Sequence, residues 1–310
     1  MSSPGASAEP DHVRDLVGYA GRPPDAAWPG GARLAVNFVL NYEEGAEYCL
    51  LNGDQANETL LSDLGAVAAV PGLRHLNMES LYEYGSRVGF WRILDLFQAE
   101  KIPFTVNAVG LALEQNPAAA AAIAAADADI QCHGWRWIDY QDVPEEEERA
   151  HIRQCVESIT RLTGSRPLGW YTGRPSLNTR RLVVEEGGFL YDSDIYNDDV
   201  PYWTTAYGRP HLLVPYSLDT NDSRFTRAQG FDLAEDCFRY WRDSFDCLYR
   251  EGAAAGKMMT VGLHGRLIGR PGRIAALTGF LDYIREFEAV WICKRIEIAR
   301  HWIARHPYGS

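Results

Sequence analysis

Residues Arg33–Tyr42 read RLAVNFVLNY, and Glu43-Glu44-Gly45 follow directly. A strand with one wet face alternates apolar and polar residues. A short, nearly continuous apolar run is what a strand covered on both faces needs, and parallel sheets are covered on both faces. Similar runs recur at Ile102–Asn107, Asp129–His133, Leu168–Tyr171, Leu212–Tyr216, Met258–His264 and Ala289–Cys293, with a further one near Phe189–Tyr191. Helical periods separate them. In Pro144–Thr163, Pro144 and the Glu145–Glu148 run suit the start of a helix, whose exposed N–H groups attract negative charge. Ile152, Val156, Ile159 and Leu162 then make one apolar face, and Gly164 closes the end. The glutamates read as a solvated cap. Val88, Trp91, Leu94 and Phe97 form a second stripe, read as core, and Ala118–Ala126 reads as a close-packed helix.

Strands alternating with helices imply a parallel sheet with right-handed crossovers. The units predict an α/β fold, a deformed (β/α) barrel of about seven parallel strands, with its chemistry at the C-terminal strand ends. Residues 1–30 are rich in Pro, Gly, Ala and Asp and read as an N-terminal arm. Within 31–306 there is no fixed-period repeat and no linker, so 31–310 reads as a single catalytic domain.

The formal net charge of −12 argues against nucleic-acid and anionic-membrane partners, which want basic patches, and leaves a small molecule as the expected partner. Six cysteines without a CxxC pair suggest neither a zinc cage nor a redox motif, and point to a reduced, cytoplasmic setting. The first residues lack a basic n-region and an apolar h-region, so no secretion signal is expected.

The polar residues at the strand ends carry the chemistry. Glu43 and Glu44 would point to opposite faces within a strand, but at a strand-to-loop junction both can reach one pocket; a solvated loop start is the bland alternative. The run after Asp129 ends in His133-Gly134-Trp135-Arg136-Trp137, a pattern suited to a wall that stacks a flat ligand. A core histidine would explain His133 alone. Tyr171-Thr172-Gly173-Arg174-Pro175 follows the next run, where Arg174 serves equally as a ligand donor or an ion-pair partner. The acidic stretches 191–199 and 217–222 read as turn chemistry. His264 ends the run Met258–His264. Two histidines and a carboxylate pair on separate strand ends converge at a barrel mouth.

With these residues in view, the chain resembles the polysaccharide deacetylase superfamily. Asn41-Tyr42-Glu43-Glu44-Gly45 stands where that family has Thr-Phe-Asp-Asp-Gly, whose first Asp acts as base and whose second binds a metal. His133-Gly134-Trp135-Arg136-Trp137 stands where the family has His-x-x-x-His, both metal ligands, so Trp137 replaces the second. Arg174-Pro175 matches the third motif loosely, and His264 matches the catalytic histidine of the last. Indole N–H is a donor only and cannot ligate, so no cofactor and no metal are expected. The segments YEYGSRVGFWRILDLF, QCHGWRWIDYQ, GRPSLNTRRLVVEEGGFLYDSDIYNDDVPYW and GLHGRLIGRPGR are similar to the metal-independent allantoinase branch of the superfamily.

That resemblance implies a cyclic amide hydrolase of purine and ureide catabolism, opening the hydantoin ring of allantoin to give allantoate. The leaving nitrogen lies between two carbonyls, so its developing charge is delocalised and less metal assistance is needed. Glu43, His133 and His264 are the expected catalytic residues. Glu44, Tyr42, Trp135, Arg136, Trp137 and Arg174 are the expected substrate contacts. The resemblance also implies a homo-oligomer, a dimer or tetramer. Alternatives are a cyclic imidase, a metal-dependent polysaccharide deacetylase, and a catalytically inactive barrel that only binds.

Overall fold

A computed structural model describes residues 14–65 and 67–309; the beginning of the expected arm lies outside them. β1 (Leu34–Tyr42) is buried along its whole length. Its period of two sorts the side chains. Leu34, Val36, Phe38, Leu40 and Tyr42 join the large cluster under the helices, while Ala35 and Val39 fall in separate clusters on the other side of the strand. Asn37 and Asn41 share that second side, with hydrogen bonds across to the Met259 carbonyl and to Tyr216.

After β1 come α1 (Leu76–Tyr84), α2 (Phe90–Ala99), β2 (Phe104–Ala108), α3 (Gly110–Gln115), α4 (Pro117–Ala125), β3 (Asp129–Cys132), α5 (Glu145–Thr163), β4 (Gly169–Trp170), α6 (Thr179–Glu186), β5 (Tyr191–Asp192), β6 (Tyr202–Thr204), β7 (His211–Leu213), α7 (Ala234–Glu251), β8 (Lys257–His264), α8 (Ile274–Ile284), β9 (Val290–Ile292) and α9 (Arg295–Arg305). Seven strands run parallel in the order β7-β5-β4-β3-β2-β1-β8. β6 adds antiparallel to β7, and β9 pairs with the start of β1. This is the curled parallel sheet that the alternating pattern predicts.

The seam between β7 and β8 is closed by an irregular stave. The chain after β7 runs beside β8, where the Gly262 N–H donates to the Thr220 carbonyl at 3.2 Å and Thr220 Oγ1 donates to the Thr260 carbonyl at 2.5 Å. Below the sheet, Ala26 and Trp28 are buried, and Trp28 packs on Trp291 and Trp302. Barrel packing therefore begins inside the expected arm.

Two helix details differ from the sequence reading. A π-turn at Gly85–Gly89 joins α1 to α2 and adds a residue to the turn, so the buried stripe is Phe90, Ile93, Leu94 and Phe97, while Val88 is exposed. In α5, Glu145, Glu146 and Glu147 are exposed as expected, but Glu148 is buried and accepts hydrogen bonds from Ser176 and Thr179. Among the described residues, no helix is long and apolar enough to cross a membrane.

Candidate active site

Register brings the strand ends level. Asn41 of β1 lies opposite Asn107 of β2 and His264 of β8, and the His133 N–H donates to the Ala108 carbonyl at the end of β2. The residues just beyond therefore meet. Glu43 Oε1 lies 3.1 Å from His133 Nε2 and 3.4 Å from His264 Nε2. Its other oxygen accepts from Arg266 Nη2 at 2.5 Å. All four side chains are buried.

Each imidazole is held from behind. His133 Nδ1 faces the Tyr171 carbonyl at 2.7 Å; a carbonyl only accepts, so Nδ1 carries a hydrogen. The ring stacks on Tyr171 at 5.0 Å. His264 Nδ1 lies 2.6 Å from Asp222 Oδ1, and the second Asp222 oxygen accepts the His264 and Ile268 amides at 2.7 and 3.1 Å. Burial works against a charged imidazole, but Asp222 and then Glu43 outweigh it and raise the His264 pKa to about 9. Burial likewise pushes the Glu43 carboxyl up. The Arg266 and His264 charges and the imidazole hydrogen bonds more than offset this and hold it well below the usual carboxylate range. At neutral pH the mouth thus carries a carboxylate base beside an imidazolium acid.

Glu43, His133 and His264 line a cleft of about 170 Å³, together with Trp137, Tyr171 and Arg174. The Arg174 guanidinium lies 3.7 Å from the Trp137 ring centre and pairs with Glu58 at 3.0 Å. Larger cavities, of about 790 Å³ at the seam and about 720 Å³ beside Trp170, bring no carboxylate together with two imidazoles.

Of the residues expected from sequence, Glu43, His133, His264, Trp137 and Arg174 meet in the cleft. The rest do not. Strand alternation sends Glu44 to the other side of β1, where it lines an adjoining cavity with Glu47 and Tyr82, and burial raises its pKa. Tyr42 points under the helices, within hydrogen-bond reach of Ser86 and Asn116. Trp135 lies against Gly110 at the start of α3. Arg136 is occupied by Asp54 at 2.6 Å and by the carbonyls of Ala46 and Glu47. Two residues of the site were not expected, Asp222 and Arg266. Asp222 sits in a stretch that reads as a turn. Arg266 was signalled only by standing two places after His264.

A metal ion, as the superfamily resemblance implies, would need Glu44, His133 and the position of Trp137. Glu44 is engaged by Arg266 Nη1 at 3.2 Å, His133 Nε2 faces Glu43, and Trp137 offers no lone pair. Among the described residues, no three His, Cys, Asp or Glu side chains are grouped to hold a metal. The donor set does not fit the ion.

A carboxylate between two oriented imidazoles at the mouth of a parallel barrel is a set suited to hydrolysis by general acid–base catalysis. Residues 78–186 match the polysaccharide deacetylase family. A Schizosaccharomyces pombe protein that carries the polysaccharide deacetylase name is 45% identical over 96% of this chain and 99% of its own. Among solved structures, PuuE allantoinase superposes with a TM-score of 0.94 at 55% identity, over 96% of this chain and 99% of its own. A Pseudomonas aeruginosa protein with the polysaccharide deacetylase name gives 0.94 at 54% identity, over 96% of this chain and 100% of its own. The chain belongs to the polysaccharide deacetylase family.

Proposed function

We propose that this protein hydrolyses an endocyclic amide bond of a small cyclic ureide, with allantoin as substrate and allantoate as product. The observation that carries the reading is the platform of Arg174 stacked on Trp137, standing where a metal-dependent deacetylase needs a histidine. A platform of this kind takes a flat, carbonyl-rich ring. The similarity to PuuE allantoinase over nearly the whole chain supports the same substrate class. So does the size of the cleft, about 170 Å³ and below the roughly 300–1,000 Å³ common for drug-sized ligands.

Glu43 takes a proton from water as the oxygen attacks the ring carbonyl. The C–N bond breaks, and the His264 imidazolium hands its Nε2 proton to the departing nitrogen. The carbonyl carbon leaves as a carboxylate and the nitrogen as the NH₂ of a ureido group. Delocalisation of that nitrogen into its second carbonyl lowers the barrier without a metal, and Arg174 donates to a carbonyl oxygen of the ring. We place the enzyme in cytoplasmic ureide catabolism, as a homo-oligomer.

The test is ring opening measured for allantoin, hydantoin and succinimide side by side. Allantoin should give the highest kcat/KM. A preference for succinimide would move the reading to a cyclic imidase, and release of acetate from an N-acetylated sugar polymer instead would overturn it.

A further inference from the structure

Arg266 is fully buried, yet it touches two of the three positions that a metal would require. Nη1 donates to Glu44 at 3.2 Å, and the guanidinium carbon lies 5.3 Å from the centre of the Trp137 ring. Nη2 donates to the Glu43 oxygen that faces away from the imidazoles, at 2.5 Å. Nε donates to the Leu61 carbonyl at 3.0 Å, and the Tyr82 ring lies 4.2 Å from the guanidinium. No donor nitrogen lacks a partner. The planar fork meets two carboxylates and a carbonyl with three separate nitrogens, a spread that the single nitrogen of a lysine ammonium does not match although it also carries three donors.

The surroundings are shaped for this group. Leu61 adopts φ +52°, a conformation disfavoured for a branched side chain, in the stretch where its carbonyl meets Nε. The turn carrying Arg266 beds against the π-turn of Gly85–Gly89. A Cβ on Gly85 would come within 2.1 Å of Glu44 Oε1, and one on Gly89 within 1.8 Å of the Gly265 carbonyl.

We propose that Arg266 is a built-in cation occupying the metal position of the family fold, which closes that position to divalent ions and turns Glu43 so that one oxygen faces the cleft. The second half rests on the ring-hydrolase reading; the first does not. A divalent ion would have to share a water-poor pocket with a permanent positive charge, so restoring the missing histidine is insufficient by itself. Arg266 thereby acts as a positioning residue for Glu43.

The experiment has two arms. In equilibrium dialysis against Co²⁺, followed by its visible absorption, wild type and Trp137→His should bind none, whereas the Trp137→His/Arg266→Ala double variant should bind about one ion per chain, the tetrahedral site then being complete. Stoichiometric Co²⁺ on Trp137→His alone overturns the proposal, and this arm needs no substrate. In the second arm, Arg266→Ala and Arg266→Lys should each lower kcat by about 100-fold with circular dichroism unchanged, the scale of losing one preorganised charge contact. Added guanidinium ion, but not methylammonium, should recover roughly tenfold of that loss in Arg266→Ala, because the planar fork is what the pocket fits. Equal rescue by both ions, or kcat retained in Arg266→Lys, overturns the positioning role. Should Arg266→Ala fail to fold, Arg266→Lys and Trp137→His still decide.

Discussion

Two buried arginines lie at different depths of the barrel, and their partners differ in kind. Arg266, at the mouth, bridges the carboxylates of Glu43 and Glu44. Arg295, deeper down, bonds only neutral oxygens: Asn37 and Thr260 at 3.0 Å, Ser193 at 2.8 Å, and the Val214 and Pro215 carbonyls at 2.5 and 3.1 Å. Burial pulls the Arg295 pKa below its ordinary value, whereas Tyr82, Glu43 and Glu44 around Arg266 overcome the same penalty and raise it. One guanidinium ties together the β1, β7 and β8 regions of the barrel, the other holds a reactive carboxylate in position. A buried charge alone does not mark an active site; its partners decide.

The contrast breaks most visibly at Glu43. Glu43→Gln keeps shape and burial but removes the base, so kcat should fall by about 10³-fold with KM little changed. Steady-state kinetics check this, and a variant with kcat within a few-fold of wild type would remove Glu43 from the chemistry. Arg295→Met should show the reverse pattern. Five buried oxygens lose their donor, which costs roughly 3–5 kcal/mol of stability by urea unfolding. The folded fraction should keep its kcat.

Asp222→Asn sharpens the role of His264. The acid must be protonated, and with Asp222 present activity should decline only as pH rises through about 9. Removing that charge lets the imidazole fall back toward its ordinary 6.5, so the alkaline limb of kcat/KM moves to lower pH, and the rate at neutral pH drops several-fold as the protonated fraction falls. The same sign governs stability. The raised pKa stabilises the fold fully below pH 6.5, and that contribution is lost as pH passes about 9. An unmoved alkaline limb would show that His264 is not the titrating acid. The smallest effect belongs to Arg136→Ala. Its guanidinium is spent on Asp54 and two carbonyls, so KM should not move, and melting should report a loss of about 1–3 kcal/mol. A several-fold rise in KM would place Arg136 in substrate binding after all.

Much of this was legible in the sequence. Nearly continuous apolar runs gave the parallel strands, because burial on both faces favours apolar side chains at most positions, and polar residues at their ends gave Glu43, His133 and His264. The side of the strand was not legible for Tyr42 and Glu44, since a run apolar on both faces does not say which face is the axis. Asn37 and Asn41 held that information, being polar residues of RLAVNFVLNY six and two places before Glu43 on the axial side. β6 was missed because YWT is short and pairs at an edge. Asp222 escaped because its contact with His264 spans 42 residues and is made by a segment with no period of its own.

That segment also carries a consequence for heat. The stave that delivers Asp222 holds β8 through few backbone hydrogen bonds, while β1 pairs with β8 along eight registered positions. Regions with sparse pairing open locally at less cost than the whole fold. Opening here would leave the barrel standing but part Asp222 from His264. Hydrogen exchange at the Gly262 amide should therefore be faster than at the central amides of β1, and activity on warming should be lost, reversibly, several degrees before the helices melt.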